Sequence, residues 1–268
     1  MLTLYHFPSS VCAAKVRLVL HEKELPWESR IIEILKGEQF QPWYVALNPN
    51  AVVPTLVHDD QAIVESAVIC EYLDDVFADP PLRPADLVDR SVMRIWASDV
   101  DTYMNGICAG ITYPATHRHE VLKLSPEELQ RFYDGHTDKD KLARRKRLIE
   151  QGYQAPDAKH AVLVYDRFLT KLEDQLAKSG AWLTGKSYSI ADAAATPYLV
   201  RLDMLNYQEW WRHSRPRLDD WYERIKARPS FRPAMIDVMP SKFMADMGTR
   251  GSGYWPEVRG ILKEAGAW

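Results

Sequence analysis

Apolar and polar positions alternate along residues 2–6, "LTLYH", and the alternation stops at Phe7-Pro8. Apolar residues then recur at Cys12, Val16, Val19 and Leu20, the i, i+4, i+7, i+8 spacing of one helix face. The pattern predicts a strand, a turn and a helix. A second strand is expected within 27–34, "WESRIIEI", which makes a βαβ unit with a right-handed crossover. After a loop rich in Gln and Pro, "VPTLVHDDQAIVES" reads as two short antiparallel strands, 54–58 and 61–64, turned at Asp59-Asp60. The helix "SAVICEYLDDVF" follows them.

The prolines of "ADPPLRPAD", residues 78–86, cannot continue that helix. Beyond them no strand pattern recurs. Val88, Val92, Ile95 and Trp96 form one helical stripe, residues 161–176 a second and residues 216–229 a third. The expected fold is an α/β domain over 1–79, a linker over 80–86 and an all-α bundle domain over 87–268. Within the bundle, "SIAD" sets Ser189 three residues ahead of Asp192 at the head of an apolar run, the pattern of a capping box that serves fold stability. The polar stretch 117–152 includes "TDKDKLARRKRL", where Asp138 and Asp140 interrupt the basic residues and no aromatics interleave. It reads as a solvated helix and not as a phosphate-binding patch. The tail from Met239 onward is expected to pack on the bundle, with a lid over a cleft as its alternative.

A net charge of −3 over 268 residues supplies no field that would gather nucleic acid or an anionic membrane. Cys12, Cys70 and Cys108 show neither a CxxC nor a histidine at ligand spacing, so no disulfide framework and no metal site are expected. Reduced thiols point to a cytoplasmic protein. The first residues lack a basic segment followed by an apolar run, and nowhere do about 18 apolar residues run together, so neither an export signal nor a membrane span is expected.

The chemistry concentrates in "HFPSSVCAAKVRLVL", residues 6–20. With a helix starting near Val11, Ser10 is its N-cap, beside free backbone N–H groups at the positive end of the helix dipole. Such a place suits an anion, and a bound thiolate is a natural one: a thiol with a pKa of about 8.5 is only slightly ionised at neutral pH unless donors hold the anion. No GxSxG elbow surrounds Ser10, so it is a donor before it is a nucleophile. Taken alone, these residues favour a plain N-cap over a donor to a ligand. Cys12 lies on the apolar stripe and is expected to face the helix–sheet core, while Ser9 is left unassigned between solvent and ligand.

The order βαβ, loop, ββα, the Val53-Pro54 dipeptide opening the third strand, Glu65-Ser66 before a helix and an all-helical second domain with its capping "SIAD" together resemble the glutathione S-transferase superfamily. The resemblance implies a thioredoxin-like N-terminal domain that binds glutathione as co-substrate, without a metal, and a homodimer. It places Ser10 as the hydroxyl that donates to the glutathione sulfur, Pro54 as a cis-proline, Val53 on the cysteinyl backbone, and Glu65 with Ser66 on the γ-glutamyl group. Gln41 stands where a polar residue reaches the glycyl carboxylate, and Val52 departs from the usual polar residue there. "VESAVICEYLDDVF", "LRPADLVDRSVMRIW" and "VDTY" are similar to the bacterial β-aryl-etherase branch, which uses glutathione to displace a phenol from an aryl ether; that likeness brings Asp101 near the γ-glutamyl end. For a small aromatic electrophile the expected substrate residues are Tyr103, Ile107, Tyr113 and His117. Two other functions fit the same family: a non-catalytic module with this fold, and a thiol reductase or lyase using Cys12.

Overall fold

The computed structural model describes residues 1–134 and 138–268. Strand β1 (Leu2–His6), helix α1 (Val11–Glu22) and strand β2 (Trp27–Ile31) form the first unit, with β2 parallel to β1. The second strand is shorter than its sequence pattern: residues 34–40 turn instead through two short 3-10 segments with Gly37 left-handed between them. Helix α2 (Pro42–Leu47) then leads to strands β3 (Thr55–His58) and β4 (Gln61–Val64) and to helix α3 (Ser66–Val76). The sheet order is β2-β1-β3-β4, with β3 antiparallel to both of its neighbours. Asp59 and Asp60 both take positive φ, as a two-residue hairpin turn requires.

Leu2 and Leu4 of β1 face α1, which is buried along its whole length from Val11 to Leu20. A helix apolar enough to be buried all round still carries Lys15 and Arg17 here, and each must find partners inside. On the opposite sheet face Tyr5 meets Tyr44 of α2, whose hydroxyl donates to the Val52 carbonyl at 2.7 Å. The proline-rich connection is pinned. Lys23 donates to the Phe77 and Pro80 carbonyls and pairs with Asp74 at 2.6 Å, while the Ile190 N–H reaches back to the Leu82 carbonyl.

The second domain runs α4 (Leu87–Asp99), a π-helical turn (Val100–Met104), α5 (Asn105–Ala115), α6 (His117–Val121), α7 (Pro126–Asp134), α8 (Lys139–Gln151), α9 (Pro156–Ser179), α10 (Ile190–Met204), α11 (Glu209–Arg212), α12 (Pro216–Lys226) and α13 (Ser241–Glu264). Helix α10 lies at its centre, buried from Ile190 to Leu202, and packs across α1. Its capping box forms as the sequence predicts. The Asp192 carboxylate accepts from the Ser189 N–H and hydroxyl, from the Leu183 N–H, and from Trp221 Nε1 at 2.8 Å. The tail packs on the bundle: a Cβ at Gly251 of α13 would sit 2.1 Å from the Leu205 carbonyl oxygen.

One stripe departs from its sequence reading. Trp96 and Met93 of α4 are buried, but Leu87, Val88 and Ile95 are exposed at 74%, 70% and 56%. The apolar positions on this helix serve two faces, of which only one is core.

Candidate active site

A cavity of about 370 Å³ opens between the end of the sheet and the helical domain. Ser10, Cys12, Val53, Pro54, Glu65 and Ser66 line it from the first domain, and Asn105, Lys141 and Arg145 from the second. Residues as far apart in sequence as Ser10 and Ser66 meet because the end of β1, the start of β3 and the start of α3 come to the same end of the sheet.

Ser10 is the N-cap of α1, and its Oγ accepts from the Ala13 N–H at 3.2 Å. That bond uses a lone pair and leaves the hydroxyl proton to donate. Among the described residues no group accepts it. The side chain therefore presents a donor to the cavity at the positive end of a twelve-residue helix. Two positions on, Cys12 is 9% exposed, and burial pushes its thiol up despite nearby Lys15. The core placement expected for Cys12 holds for most of the side chain, while its edge reaches the cavity wall.

The Val53-Pro54 peptide is cis. Glu65 caps α3 with φ 68° and ψ 114°, a backbone region that an L residue enters at a cost of about 1–3 kcal/mol. Strain of this kind persists where the surroundings over-determine a conformation, and here it holds a carboxylate at the cavity rim, where Asn50 Nδ2 donates to it at 3.1 Å. Ser66 is buried and donates to Asp101 at 3.2 Å, and Asp101 also accepts from the Ala67 N–H at 3.1 Å. The π-helical turn after α4 carries Asp101 into this position from the second domain of the same chain. Buried Lys15 pairs with Asp101. Burial works against the Lys15 charge, but the Asp101 carboxylate beside it favours the ammonium, which is held above its ordinary range.

Other expected residues fall elsewhere. Gln41 caps α2 at the surface and does not line the cavity; Gln39 does, and its Oε1 is buried with no hydrogen-bond partner among the described residues. The 3-10 turns over 34–40 change which glutamine faces inward, a shift that spacing along "GEQFQPW" does not reveal. Tyr103 is 64% exposed and lines a separate surface hollow beside Trp96. Ile107 packs against the core. Tyr113 lines a second cavity, of about 500 Å³, that shares Ile34, Gln39, Phe40 and Arg145 with the first. His117 lines neither cavity; it stacks on Phe243, lies tilted against Tyr113, and is held down to about 3 by burial and by Arg201 and Arg145, so it is a neutral imidazole.

The stretch "TDKDKLARRKRL" also departs from its expected role. Its first residue, Thr137, lies outside the described residues, but α8 is not merely a solvated helix, since Lys141 and Arg145 reach the first cavity and Arg145 lies 5.0 Å over the Tyr113 ring. Arg147 forks onto Asp157 at 2.6 and 2.9 Å and fixes the helix there. Helical periodicity finds α8 but cannot tell which of its faces meets another domain. Among the described residues no group of His, Cys, Asp and Glu is arranged to hold a metal, and no helix is long and apolar enough to cross a membrane.

Two family models match this chain, one described as the N-terminal domain of glutathione S-transferase over residues 4–81 and one as its C-terminal domain over 150–224. The chain is similar to Protein LigF of Sphingobium sp. strain SYK-6, with 30% identity over 241 residues that cover 86% of this chain and 91% of that protein. It is similar also to the tetrachloro-p-hydroquinone reductive dehalogenase of Sphingobium chlorophenolicum, at 31% identity, covering 87% of this chain and 95% of that one. The crystal structure of beta-etherase LigF superimposes with a TM-score of 0.76 at 28% identity, covering 87% and 98% of the two chains. Neither family model reaches the segment that supplies Asn105, Lys141 and Arg145 to the cavity.

Proposed function

The chain belongs to the glutathione S-transferase family, and from that premise we propose that Ser10 holds the sulfur of bound glutathione as a thiolate for attack on an aromatic electrophile. It is a glutathione transferase, with glutathione as co-substrate. The observation that carries the assignment to Ser10 is its undonated hydroxyl proton at the α1 N-terminus, facing the cavity. One donor and a helix dipole raise the thiolate fraction, and proximity supplies much of the remaining acceleration. In the ligand's frame, Val53 takes the cysteinyl backbone, while Glu65 and Ser66, backed by Asp101 and Lys15, take the γ-glutamyl end. The electrophile occupies the adjoining cavity against Tyr113 and Phe40.

For an aryl ether, sulfur forms a bond to the ether carbon as the C–O bond breaks, and the phenolate leaves with the electron pair. The likeness to a beta-etherase supports including such ethers beside aryl halides in a substrate panel. Mass spectrometry of the products tests the reading. A thioether conjugate is the expected product, and a panel yielding only glutathione disulfide contradicts it. The cysteine-type alternative is disfavoured because burial keeps the Cys12 thiol protonated. A non-catalytic module has no need of the free Ser10 donor.

The glycyl end falls to Gln39. We expect Gln39→Ala to raise the glutathione KM about three- to tenfold, the worth of about one hydrogen bond, and Gln41→Ala to leave it unchanged. Steady-state kinetics at saturating electrophile checks the pair.

The exposed face of α3 and α4 supports a homodimer. Val68 and Val76 are exposed on α3, Leu87, Val88 and Ile95 on α4, and Arg94 reaches across to Glu71 at 3.2 Å, so the two helices stand side by side. Light scattering should give twice the 30.9 kDa chain mass for the wild type and the chain mass for Ile95→Glu. A monomeric wild type contradicts this. Buried, unpaired cysteines suit the reducing cytoplasm.

A further inference from the structure

Two buried guanidinium groups, one from each domain, close on the backbone immediately ahead of Ser10. Arg17 of α1 donates from Nη2 to the Pro8 carbonyl at 3.0 Å and from Nη1 to the Phe7 carbonyl at 3.4 Å, with its Nε on the Ala234 carbonyl at 2.8 Å. Arg201 of α10 donates from Nη2 to the Ser9 carbonyl at 2.5 Å. Three consecutive carbonyls point at two cations, and the next residue is the thiolate donor.

Among the described residues neither arginine has a counter-ion. They are 1% and 4% exposed, a setting in which a cation ordinarily meets a carboxylate, yet neither forms an ion pair there. Arg201 Nη1 meets only Met247 Sδ at 4.0 Å, and Arg201 Nε is buried with no hydrogen-bond partner among the described residues. Their donors go instead to backbone carbonyls, which satisfy part of each guanidinium without neutralising its charge.

The neighbouring ionisable groups leave that positive charge standing. His6 is held down to about 3 by burial and Arg17, and His117 is likewise neutral. Arg17 stays cationic at neutral pH although burial lowers it to about 9. Lys15 and Asp101 offset one another. Cys12 is a thiol, Glu65 lies at the exposed rim on Asn50, and Asp138, Lys141 and Arg145 line the far wall of the cavity. The hollow between Arg201, Arg17 and Ser10 holds about 10 Å³, room for one water at most, so Arg201 does not reach substrate.

We propose that Arg201, with Arg17, is a positioning residue for thiolate formation: it fixes the Phe7–Ser9 turn from the other domain, aims the Ser10 hydroxyl, and sets an uncompensated positive charge behind the glutathione sulfur. The proposal rests on the glutathione reading above. It also explains how the helical domain contributes to sulfur activation without touching the sulfur.

The test compares Arg201→Met, which keeps the bulk and loses the charge, with Arg201→Lys, which keeps the charge and loses the fork. Each is measured for glutathione binding by calorimetry, for melting temperature, and for the pH profile of kcat/KM with an aryl halide. For Arg201→Met the acid limb of the profile should move up by about one pH unit, the scale of one unit charge about 12 Å away at an effective dielectric near 20, so activity at neutral pH falls about tenfold. For Arg201→Lys the limb should stay within about 0.3 units while kcat drops through loss of aim. A folded, glutathione-binding Arg201→Met with an unmoved limb overturns the proposal. So does a lysine variant shifted as far as a full unit, which remains decisive even if the methionine variant does not fold. A wild type that fails to bind glutathione overturns the underlying functional reading as well, and is told apart by that binding measurement.

Discussion

Ser10→Ala lowers kcat/KM for conjugation of an aryl halide by about 10²- to 10³-fold, the usual consequence of removing one donor aimed at a developing or bound anion. Glutathione affinity stays within about threefold, because Glu65, Ser66 and Val53 still line the cavity in the variant and the lost bond matters chiefly once the sulfur is ionised. The same change removes the α1 N-cap bond to Ala13, which costs about 1 kcal/mol of stability. Activity loss of this size against so small a loss of stability separates a chemical role from a capping role. Ser10→Thr, which keeps both hydroxyl functions, should recover most of the rate. An alanine variant of wild-type activity would return Ser10 to a plain cap.

Asp192→Ala should produce the largest stability loss of any single substitution considered. The carboxylate is fully buried and accepts from four donors: the Leu183 and Ser189 N–H groups, the Ser189 hydroxyl and Trp221 Nε1. Alanine strands these donors in the core between α10, α12 and the loop before α10, and the same loop ties back to the interdomain connection through Ile190 and Leu82. The expected cost is about 4 kcal/mol, or a fall in melting temperature of about 10 °C for a chain of this size. Asp192→Asn keeps the volume and one acceptor and should lose about half as much. A melting temperature for Asp192→Ala within about 2 °C of wild type would contradict the network's role.

Much of this architecture is legible along the chain because it depends on local periodicity. The alternation of "LTLYH", the stripe from Cys12 to Leu20 and the apolar run after "SIAD" each report an element directly, and the structure contains all three. The start of α1 fixes Ser10 as N-cap for the same reason. What the pattern leaves hidden depends on how distant surfaces meet. Gln39 replaces Gln41 because two 3-10 turns rotate the loop, and no period of 2 or 3.6 encodes that rotation. Lys141 and Arg145 look like any solvated basic face until α8 is laid over the cavity. Val88 and Ile95 match a core stripe in spacing, yet they face outward, since apolar spacing does not tell a face packed on the core from one left exposed. Arg17 and Arg201 carry a weak signal of another kind: each is a charge set within a run of apolar residues, "KVRLVL" and "YLVRL", which burial turns into a demand for partners.

In the mechanism proposed above, the ligand's sulfur, and not a protein side chain, is the nucleophile, made anionic by Ser10. Its most direct measurement is the ultraviolet thiolate absorbance of glutathione bound to the wild type and to Ser10→Ala, followed as pH is raised. Sulfur bound to the wild type should ionise at least about one unit below free glutathione, and in the variant it should titrate close to the free thiol's range of about 8.5. Bound sulfur that titrates like free glutathione in both proteins would contradict the claim.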